Sequence, residues 1–231
     1  MASAGSLSGM PARWEPAVPA GRKRHPLFAR YYARVSPGMD AEGMVAYRQR
    51  ALAGLAGSVI EVGAGNGLNF AHYPAGVTRV LAVEPDPYLR QLAGEHAARA
   101  PVTVEVRDGV AESLPGADGS FDAAVVTLVL CSVADQRAVL AEVRRVVRPG
   151  GELRFLEHVR ADTPGLRRVQ RVLDATIWPP LLGGCHVGRD TLSVIAGAGF
   201  VVTQSEAFRF PATQIPVPAS PHVWGIAVRE P

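Results

Sequence analysis

The chain has 231 residues, of which 48% are hydrophobic, enough for a packed core of one or two domains, so a largely disordered protein is excluded. Its formal charge of +3 is small. Basic and acidic side chains alternate, as in Glu142-Val143-Arg144-Arg145, which is typical of solvated helix faces and does not favour a nucleic-acid-binding surface.

The N-terminal region is predicted to contain a tail and two helices. Residues 1–25 are rich in Ala, Ser, Gly and Pro, which predicts a flexible tail. From Pro26 the apolar residues follow a helical period, which residues 36–38 (Ser-Pro-Gly) are expected to break. A second helix is predicted over about 39–55. Candidate ligand contacts on these helices are Tyr31, Tyr32 and Tyr47.

A buried strand from Val59 is predicted to end in a glycine-rich turn and then open a helix. Gly63, Gly65 and Gly67 let the backbone turn sharply and approach a ligand closely. The spacing differs from the G-x-G-x-x-G of dinucleotide-binding proteins. Glu61, two residues before the first glycine, favours a cationic ligand.

The second predicted strand, residues 77–84, ends in a carboxylate, Glu84. In a βαβ unit an acid about 20 residues beyond the glycines reaches the ribose hydroxyls of a bound nucleoside. Glu84 lies 21 residues after Gly63, so we expect it to bind a ribose. A third strand follows over residues 102–107.

Residues 120–133 form a nearly continuous apolar run, which predicts a fourth strand that is buried on both faces, together with its exit loop. An amphipathic helix follows, and Arg148-Pro149-Gly150-Gly151 is expected to stop it. The fifth strand is predicted over residues 152–159 and ends with Glu157-His158.

The last third of the chain is predicted to carry two helices, over about 166–177 and 189–198. Two closing antiparallel strands are expected at 200–202 and 223–228. Between them lies a proline-rich loop with little charge. This loop and the segment that begins at Trp178 predict an apolar ligand pocket.

Several of these motifs together resemble those of the class I S-adenosylmethionine (SAM) dependent methyltransferases with a type 11 methyltransferase domain. They are Glu61-x-Gly63-x-Gly65-x-Gly67, Glu84-Pro85-Asp86-Pro87, Ala111-Glu112-x-Leu114-Pro115 and the Arg-Pro-Gly-Gly stop. The resemblance implies an α/β fold with a Rossmann-like, doubly wound, seven-stranded sheet. Such a sheet is mostly parallel, with its last strand antiparallel, and carries an N-terminal helical lid.

The same resemblance implies a single domain over residues 26–231. Residues 26–56 would form the lid, 57–160 the SAM-binding core and 161–231 the acceptor pocket. SAM would be the cofactor and S-adenosylhomocysteine the product. The implied cofactor contacts are Glu61, Gly63, Ala64, Gly65, Asn66, Gly67, Glu84, Pro85, Asp108, Val110, Ala111, Thr127 and Leu128.

The adenine site departs from the pattern of this family. Related enzymes usually have an Asp immediately before the residue that matches Ala111, and here that position is Val110. Two alternatives remain open. Either Asp108 substitutes, or the backbone groups of Val110 and Ala111 recognise the adenine.

A narrower resemblance, over about residues 59–228, is to the alkyl thiol methyltransferases, which are membrane-associated. It is carried by Leu128-Val129-Leu130-Cys131-Ser132-Val133, Glu157-His158-Val159, Leu173-Asp174, Gly184-Cys185 with Arg189, and Pro221-His222 with Gly225-x-Ala227-Val228. This resemblance favours a small, apolar thiol as acceptor. The alternatives are O-, N- or C-methylation of a phenol, quinone or lipid headgroup, or a SAM-binding protein without catalysis.

The acidity of the acceptor decides whether a base is needed. A thiol with a pKa of ~8.5 is partly ionised at pH 7, whereas a phenol with a pKa of ~10 has a greater need of a general base to remove its proton. His158 is the first candidate base because it follows a central strand, and His186 and His222 come next. Further candidates for acceptor contacts are Cys131, Trp178 and Cys185.

Composition also bounds the partners and the compartment. Two cysteines give neither a disulfide framework nor a metal-binding spacing, so no metal site and a reducing, cytoplasmic setting are predicted. The longest apolar run, 123–131, is too short to span a membrane, and no N-terminal hydrophobic anchor is evident. Motifs of DNA methyltransferases are missing. We expect a small-molecule acceptor, no nucleic acid, and a monomer or homodimer.

Overall fold

The computed structural model describes residues 26–213 and 217–231. The strands are β1 (Gly57–Val62), β2 (Val77–Val83), β3 (Val104–Arg107), β4 (Phe121–Thr127), β5 (Val147–His158), β6 (Phe200–Arg209) and β7 (Pro221–Arg229). The helices are α1 (Pro26–Met39), α2 (Val45–Leu52), α3 (Pro87–Ala97), α4 (Gln136–Val146), α5 (Pro164–Ala175), α6 (Trp178–Leu181) and α7 (Thr191–Gly197).

The seven strands form one sheet in the order β3-β2-β1-β4-β5-β7-β6. All neighbours from β3 to β5 are parallel, and β7 is antiparallel to both β5 and β6. The predicted fold class is therefore confirmed. Because the strand order reverses between β1 and β4, a crevice opens there at the carboxyl ends of the strands, where ligands bind in such sheets.

Helices cover both faces of the sheet, which explains the apolar β4. On one face α4 buries Val139, Leu140, Val143 and Val146 against Phe155 and other sheet residues. The second face packs on Leu52, Phe70 and Ala93. Asp86 and Asp135 accept hydrogen bonds from the first amides of α3 and α4, so each helix has a conventional N-cap.

The expected helix break at residues 36–38 is wrong, because α1 continues through Pro37 to Met39. A proline inside a helix removes one backbone hydrogen bond and crowds the preceding turn, yet α1 continues for two residues beyond Pro37. The discontinuity comes later, in a π-helical turn at Asp40–Met44, where Gly43 has φ 115°. Few residues other than glycine adopt that conformation.

The prediction that a helix follows the glycine turn is also wrong. Only a short 3-10 helix, Phe70–His72, forms there. Pro74 disfavours helical geometry at Tyr73, the residue before it, and the chain turns directly towards β2. Several strand boundaries also differ from the prediction: β3 begins at Val104, β5 begins at Val147 immediately after α4, and β6 extends to Arg209.

The predicted flexible tail, residues 1–25, lies outside the described residues, as do Ile215 and Pro216 of the proline-rich loop. Within residues 26–213 and 217–231, no helix combines the length and hydrophobicity needed to cross a bilayer.

Candidate functional site

A cavity of about 1150 Å³ occupies the crevice at the carboxyl ends of the strands, and it is called here the carboxyl-edge cavity. Its wall combines the first helix, the glycine turn, the ends of β2 and β4, and the segment after α6. Among the residues predicted for the site, those that line it are Tyr32, Gly63, Gly65, Glu84, Pro85, Val110, Ala111, Thr127, Leu128 and His186.

The glycine turn leaves space for a ligand by lacking side chains. The amides of Gly63 and Ala64 donate to the Val83 carbonyl, which ties the turn to β2. A Cβ at Gly63 would lie 2.7 Å from the Val129 side chain, and one at Gly65 would lie 3.2 Å from the Tyr32 ring. Both glycines have positive φ, at 65° and 58°. Backbone at this point can therefore approach a ligand closely.

Glu84 presents a buried carboxylate at the floor of the cavity. It is 5% exposed, and its two oxygens accept hydrogen bonds from the amides of Gly65 and Asp86, each at 2.8 Å. Burial raises the pKa of this carboxyl to about 7. A carboxylate held by the glycine turn can accept hydrogen bonds from the two hydroxyls of a ribose, so the site fits a nucleoside cofactor.

Glu61 is placed differently, since its carboxylate does not line the cavity. Its oxygens accept hydrogen bonds from Asn69 Nδ2 at 2.9 Å and from the Tyr73 hydroxyl at 2.6 Å. Asn69 also donates to Thr127 Oγ1 and accepts from Arg48. Burial raises the pKa of Glu61 to about 7. These hydrogen bonds connect the end of β1 to the residues that follow the glycine turn and to the end of β4.

The first helix covers the cavity through two aromatic side chains. Phe28 and Tyr32 lie 5.9 Å apart between ring centroids, and both line the cavity. Tyr31 points away from it, with 53% of its surface exposed. Tyr47 stacks on Phe208 at 3.6 Å, outside the cavity. The N-terminal helices thus contribute one of the three predicted tyrosines to the cavity wall.

At the end of the cavity that is predicted to hold adenine, Val110 and Ala111 form part of the wall, together with Leu89 and Glu112. Asp108 lies off the wall and pairs with Arg90 at 3.2 Å. The backbone of this segment is fixed by a bridge between Val110 and Ser113.

The opposite end of the cavity is built from the loop after β4 and the segment 183–189. Leu128 has φ 58°, a conformation that bulky residues rarely adopt and that is common at functional sites. Arg189 Nη1 donates to the carbonyls of Leu130 and Val133 at 2.6 and 2.7 Å, and its Nη2 lies 3.1 Å from His186 Nδ1. Arg189 therefore joins the two segments.

Glu157, fully buried at the end of β5, fixes the loop after β4. Its oxygens accept hydrogen bonds from the amides of Val129, Leu130 and Cys131, at 2.8, 2.9 and 3.1 Å. Burial raises the pKa of this carboxyl to about 7. One buried side chain thus holds three consecutive amides beside the cavity.

Behind this wall, Cys131, His158 and Cys185 form a group called here the cysteine–histidine cluster. Their sulfur and nitrogen atoms all lie within 4.8 Å of one another. A hydrogen bond from the Cys131 thiol lowers the pKa of Cys185 and raises that of Cys131. Both cysteines are buried and free. His158 also packs on His222, whose burial lowers its pKa to about 3.

The other residues predicted for the site lie off the cavity wall: Tyr31, Glu61, Ala64, Asn66, Gly67, Asp108, Cys131, His158, Trp178 and Cys185. Sequence reasoning missed lining residues that include Phe28, Leu89, Val129, Ser132, Pro179 and Arg189. Phe28 lies on the same helical face as Tyr32, and Pro179 follows Trp178 directly. The sequence therefore provided grounds to predict both as wall residues. Nothing local marked Leu89.

Comparison with known proteins gives concordant results. A family model described as a methyltransferase domain matches residues 60–155. The human thiol S-methyltransferase TMT1B is 39% identical over 189 residues, covering 78% of this chain and 75% of that protein. Human thiol S-methyltransferase TMT1A is 36% identical over 179 residues, covering 74% and 70%.

Solved structures share the fold at low sequence identity. A putative methyltransferase in complex with the Haloferax volcanii Trm112 activator superposes with a TM-score of 0.68 at 16% identity, covering 90% of this chain and 100% of that one. A geranyl diphosphate methyltransferase in complex with SAM gives a TM-score of 0.62 at 14% identity, covering 86% and 90%.

Proposed function

Since the chain belongs to the thiol S-methyltransferase family and is a SAM-dependent methyltransferase, we propose that its acceptor is a small, apolar thiol. The observation that carries the proposal is the carboxyl-edge cavity, which joins Glu84 and the glycine turn at one end to an apolar wall at the other. The thiol S-methyltransferase relatives named above supply the class of acceptor.

The acceptor end of the cavity suits a molecule without charge. The side chains that line it are mainly apolar: Phe28, Leu128, Val129, Val133, Pro179 and Pro180. Arg189 is a cation on this wall. Its guanidinium donates hydrogen bonds to two backbone carbonyls, so its main role is to hold the two loops together. A thiol with an alkyl or aryl body would bury its apolar surface here and leave its sulfur near the loop after β4.

SAM supplies a methyl group on a positively charged sulfonium. In our proposal the chain mainly positions the two reactants, and correct orientation can contribute ~7–11 kcal/mol. Glu84 accepts hydrogen bonds from the ribose hydroxyls, and the glycine turn lets the backbone approach the amino-acid end. Backbone groups of Val110 and Ala111, which line the cavity, recognise the adenine.

The proton of the thiol goes to His186 in this proposal. His186 lines the cavity, whereas His158 lies behind its wall. In the tautomer with a proton on Nδ1, that N–H donates to the Gly184 carbonyl at 2.8 Å, which fixes the orientation of the ring. The other ring nitrogen, Nε2, is then the atom that accepts the proton.

A panel of acceptors tests the proposed substrate class. Small alkyl and aryl thiols are expected to turn over at least about 30-fold faster than phenols of the same shape, because the ~1.5-unit difference in pKa makes the thiolate that much more abundant. Methyl transfer is measured by formation of S-adenosylhomocysteine. Amines of the same shape serve as a third series. Turnover of phenols with no methylation of any thiol would refute the proposal.

The role of His186 is tested with thiols of graded acidity. His186→Gln is expected to lower kcat about tenfold for an alkyl thiol of pKa ~8.5 and much less for a thiol that is already ionised at the assay pH. The matched control is His72→Gln, a substitution away from the cavity wall. An equal loss with every thiol would show that His186 only shapes the cavity.

A further inference from the structure

Three segments that are distant in sequence bring the cysteine–histidine cluster together. Cys131 lies in the loop after β4, His158 is the last residue of β5, and Cys185 lies between α6 and α7. Cys185 Sγ is 3.8 Å from His158 Nδ1, and all three candidate ligand atoms lie within 4.8 Å of one another. No step of the methyl transfer described above uses these side chains.

The spacing matches what a tetrahedral zinc ion requires. With Zn–S near 2.3 Å and Zn–N near 2.0–2.1 Å, the ligand atoms of such a site lie about 3.5–3.8 Å apart. The present separations reach that range with small side-chain shifts. Two thiolates and an imidazole are a donor set that zinc prefers, whereas magnesium and calcium prefer oxygen.

The surrounding structure holds these donors in place. Glu157 fixes the Cys131 amide, and the His186 amide donates to the Cys131 carbonyl at 2.7 Å. Gly184 lets the second loop close, because a Cβ there would lie 2.7 Å from the Ser132 carbonyl oxygen. The two loops that carry the cysteines are therefore closely packed and hydrogen-bonded to each other, and a metal site requires ligands that are held in this way.

We propose that Cys131, His158 and Cys185 bind a zinc ion, and that the acceptor thiolate takes the fourth coordination position. Within the described part of the chain, no other Cys, His, Asp or Glu joins the three ligands. Sites with three protein ligands keep a position open for substrate, whereas structural sites have four. Ser132 and Gly184, next to two of the ligands in sequence, line the carboxyl-edge cavity, so the cluster lies directly behind the acceptor end of that cavity. In this proposal the acceptor sulfur reaches the zinc by passing between these two residues.

The fourth-ligand part of the inference rests on the proposed function. When the thiol coordinates zinc, its proton goes to His186 and its sulfur stays a thiolate at neutral pH. The sulfur lone pair then forms the new bond to the methyl carbon, while the bond from that carbon to the sulfonium sulfur breaks and its electrons remain on S-adenosylhomocysteine. The product thioether is neutral and a weaker ligand, so it leaves.

The binding of the metal is tested on the full chain, purified with a reducing agent. The protein is expected to hold about one zinc per chain, measured by mass spectrometry of the metal, and the Co²⁺-substituted form should show the thiolate-to-cobalt absorption of a tetrahedral site. Cys131→Ser, His158→Gln and Cys185→Ser should each lower zinc affinity more than about a hundredfold, since even changes beyond the ligands cost 10–100-fold. His72→Gln is the control and should retain its zinc.

Zinc content below a tenth per chain, without cobalt–thiolate absorption, would overturn the inference, as would a protein whose two cysteines simply oxidise to a disulfide. A thiol acceptor is expected to shift the cobalt spectrum, and an unchanged spectrum would overturn the fourth-ligand part. Zinc bound without thiol methylation would refute the proposed function alone. Undiminished thiol methylation by zinc-free protein would refute the role of the metal alone.

Discussion

Glu84→Gln is expected to weaken SAM binding about a hundredfold. Glutamine keeps the shape of the side chain but removes the charge. Its Oε1 still accepts a hydrogen bond, now a weaker neutral one, whereas its Nε2 cannot accept from a ribose hydroxyl or from the backbone amide that faces it, for a combined loss of about 2.7 kcal/mol. Calorimetry at pH 8 measures the effect. Glu95→Gln, the same change on the exposed face of α3, should bind SAM as the unaltered protein does.

The pH dependence of binding gives a second check on Glu84. Burial raises its pKa to about 7, and the ionised form is the better acceptor, so SAM affinity should rise about tenfold from pH 6 to pH 8 through this group. The charge of Asp86 raises that pKa further, whereas the charge of Arg90 lowers it. The amino group of SAM also titrates near pH 8, so the difference between the two proteins is the readout. Identical profiles would contradict the assignment.

Glu157→Ala is expected to lower the free energy of unfolding by about 4 kcal/mol. The change leaves three buried amides, those of Val129, Leu130 and Cys131, without their acceptor, and each unsatisfied donor costs about 1–3 kcal/mol. Urea denaturation of the cofactor-free protein measures this loss. It would be among the largest that a single substitution causes.

Two variants refine the test of Glu157. Glu157→Gln can still accept from Val129 and Leu130 through its amide oxygen, so we expect it to lose only about 1–2 kcal/mol. Glu105→Gln removes an exposed ion pair with Arg107 and should cost less than about 1 kcal/mol. A loss below 1 kcal/mol for Glu157→Ala would show that water replaces the carboxylate at these amides.

Local patterns were enough for much of the fold and for one end of the site. The motifs that resemble class I methyltransferases imply a mostly parallel, doubly wound sheet of seven strands with its last strand antiparallel, and this fold class is confirmed. The placement of Glu84 follows the same logic, since its distance from Gly63 is set by a single βαβ unit. Short-range spacing carries this information because adjacent parallel strands end at one edge.

The sequence did not show which side chains would compete with a ligand for the same hydrogen-bonding atoms. Glu61 precedes the glycine turn as the motif requires, yet Asn69 and Tyr73 occupy both of its oxygens. Likewise Ser36-Pro37-Gly38 has the composition of a helix break, but the helix continues and the chain bends at Gly43 instead. Each outcome depends on which residues from distant parts of the chain the tertiary fold brings into contact with these positions.

The amino-acid sequence by itself determined the class of fold and the cofactor, and it placed Glu84 at the end of the second strand, where we propose that the ribose binds. These features depend on patterns within one or two neighbouring elements. Only the tertiary structure decided how Cys131, His158 and Cys185 relate. Each is 27 residues from the next, so no metal-binding spacing is visible along the chain. They meet because β4, β5 and the segment after α6 all end at one edge of the sheet.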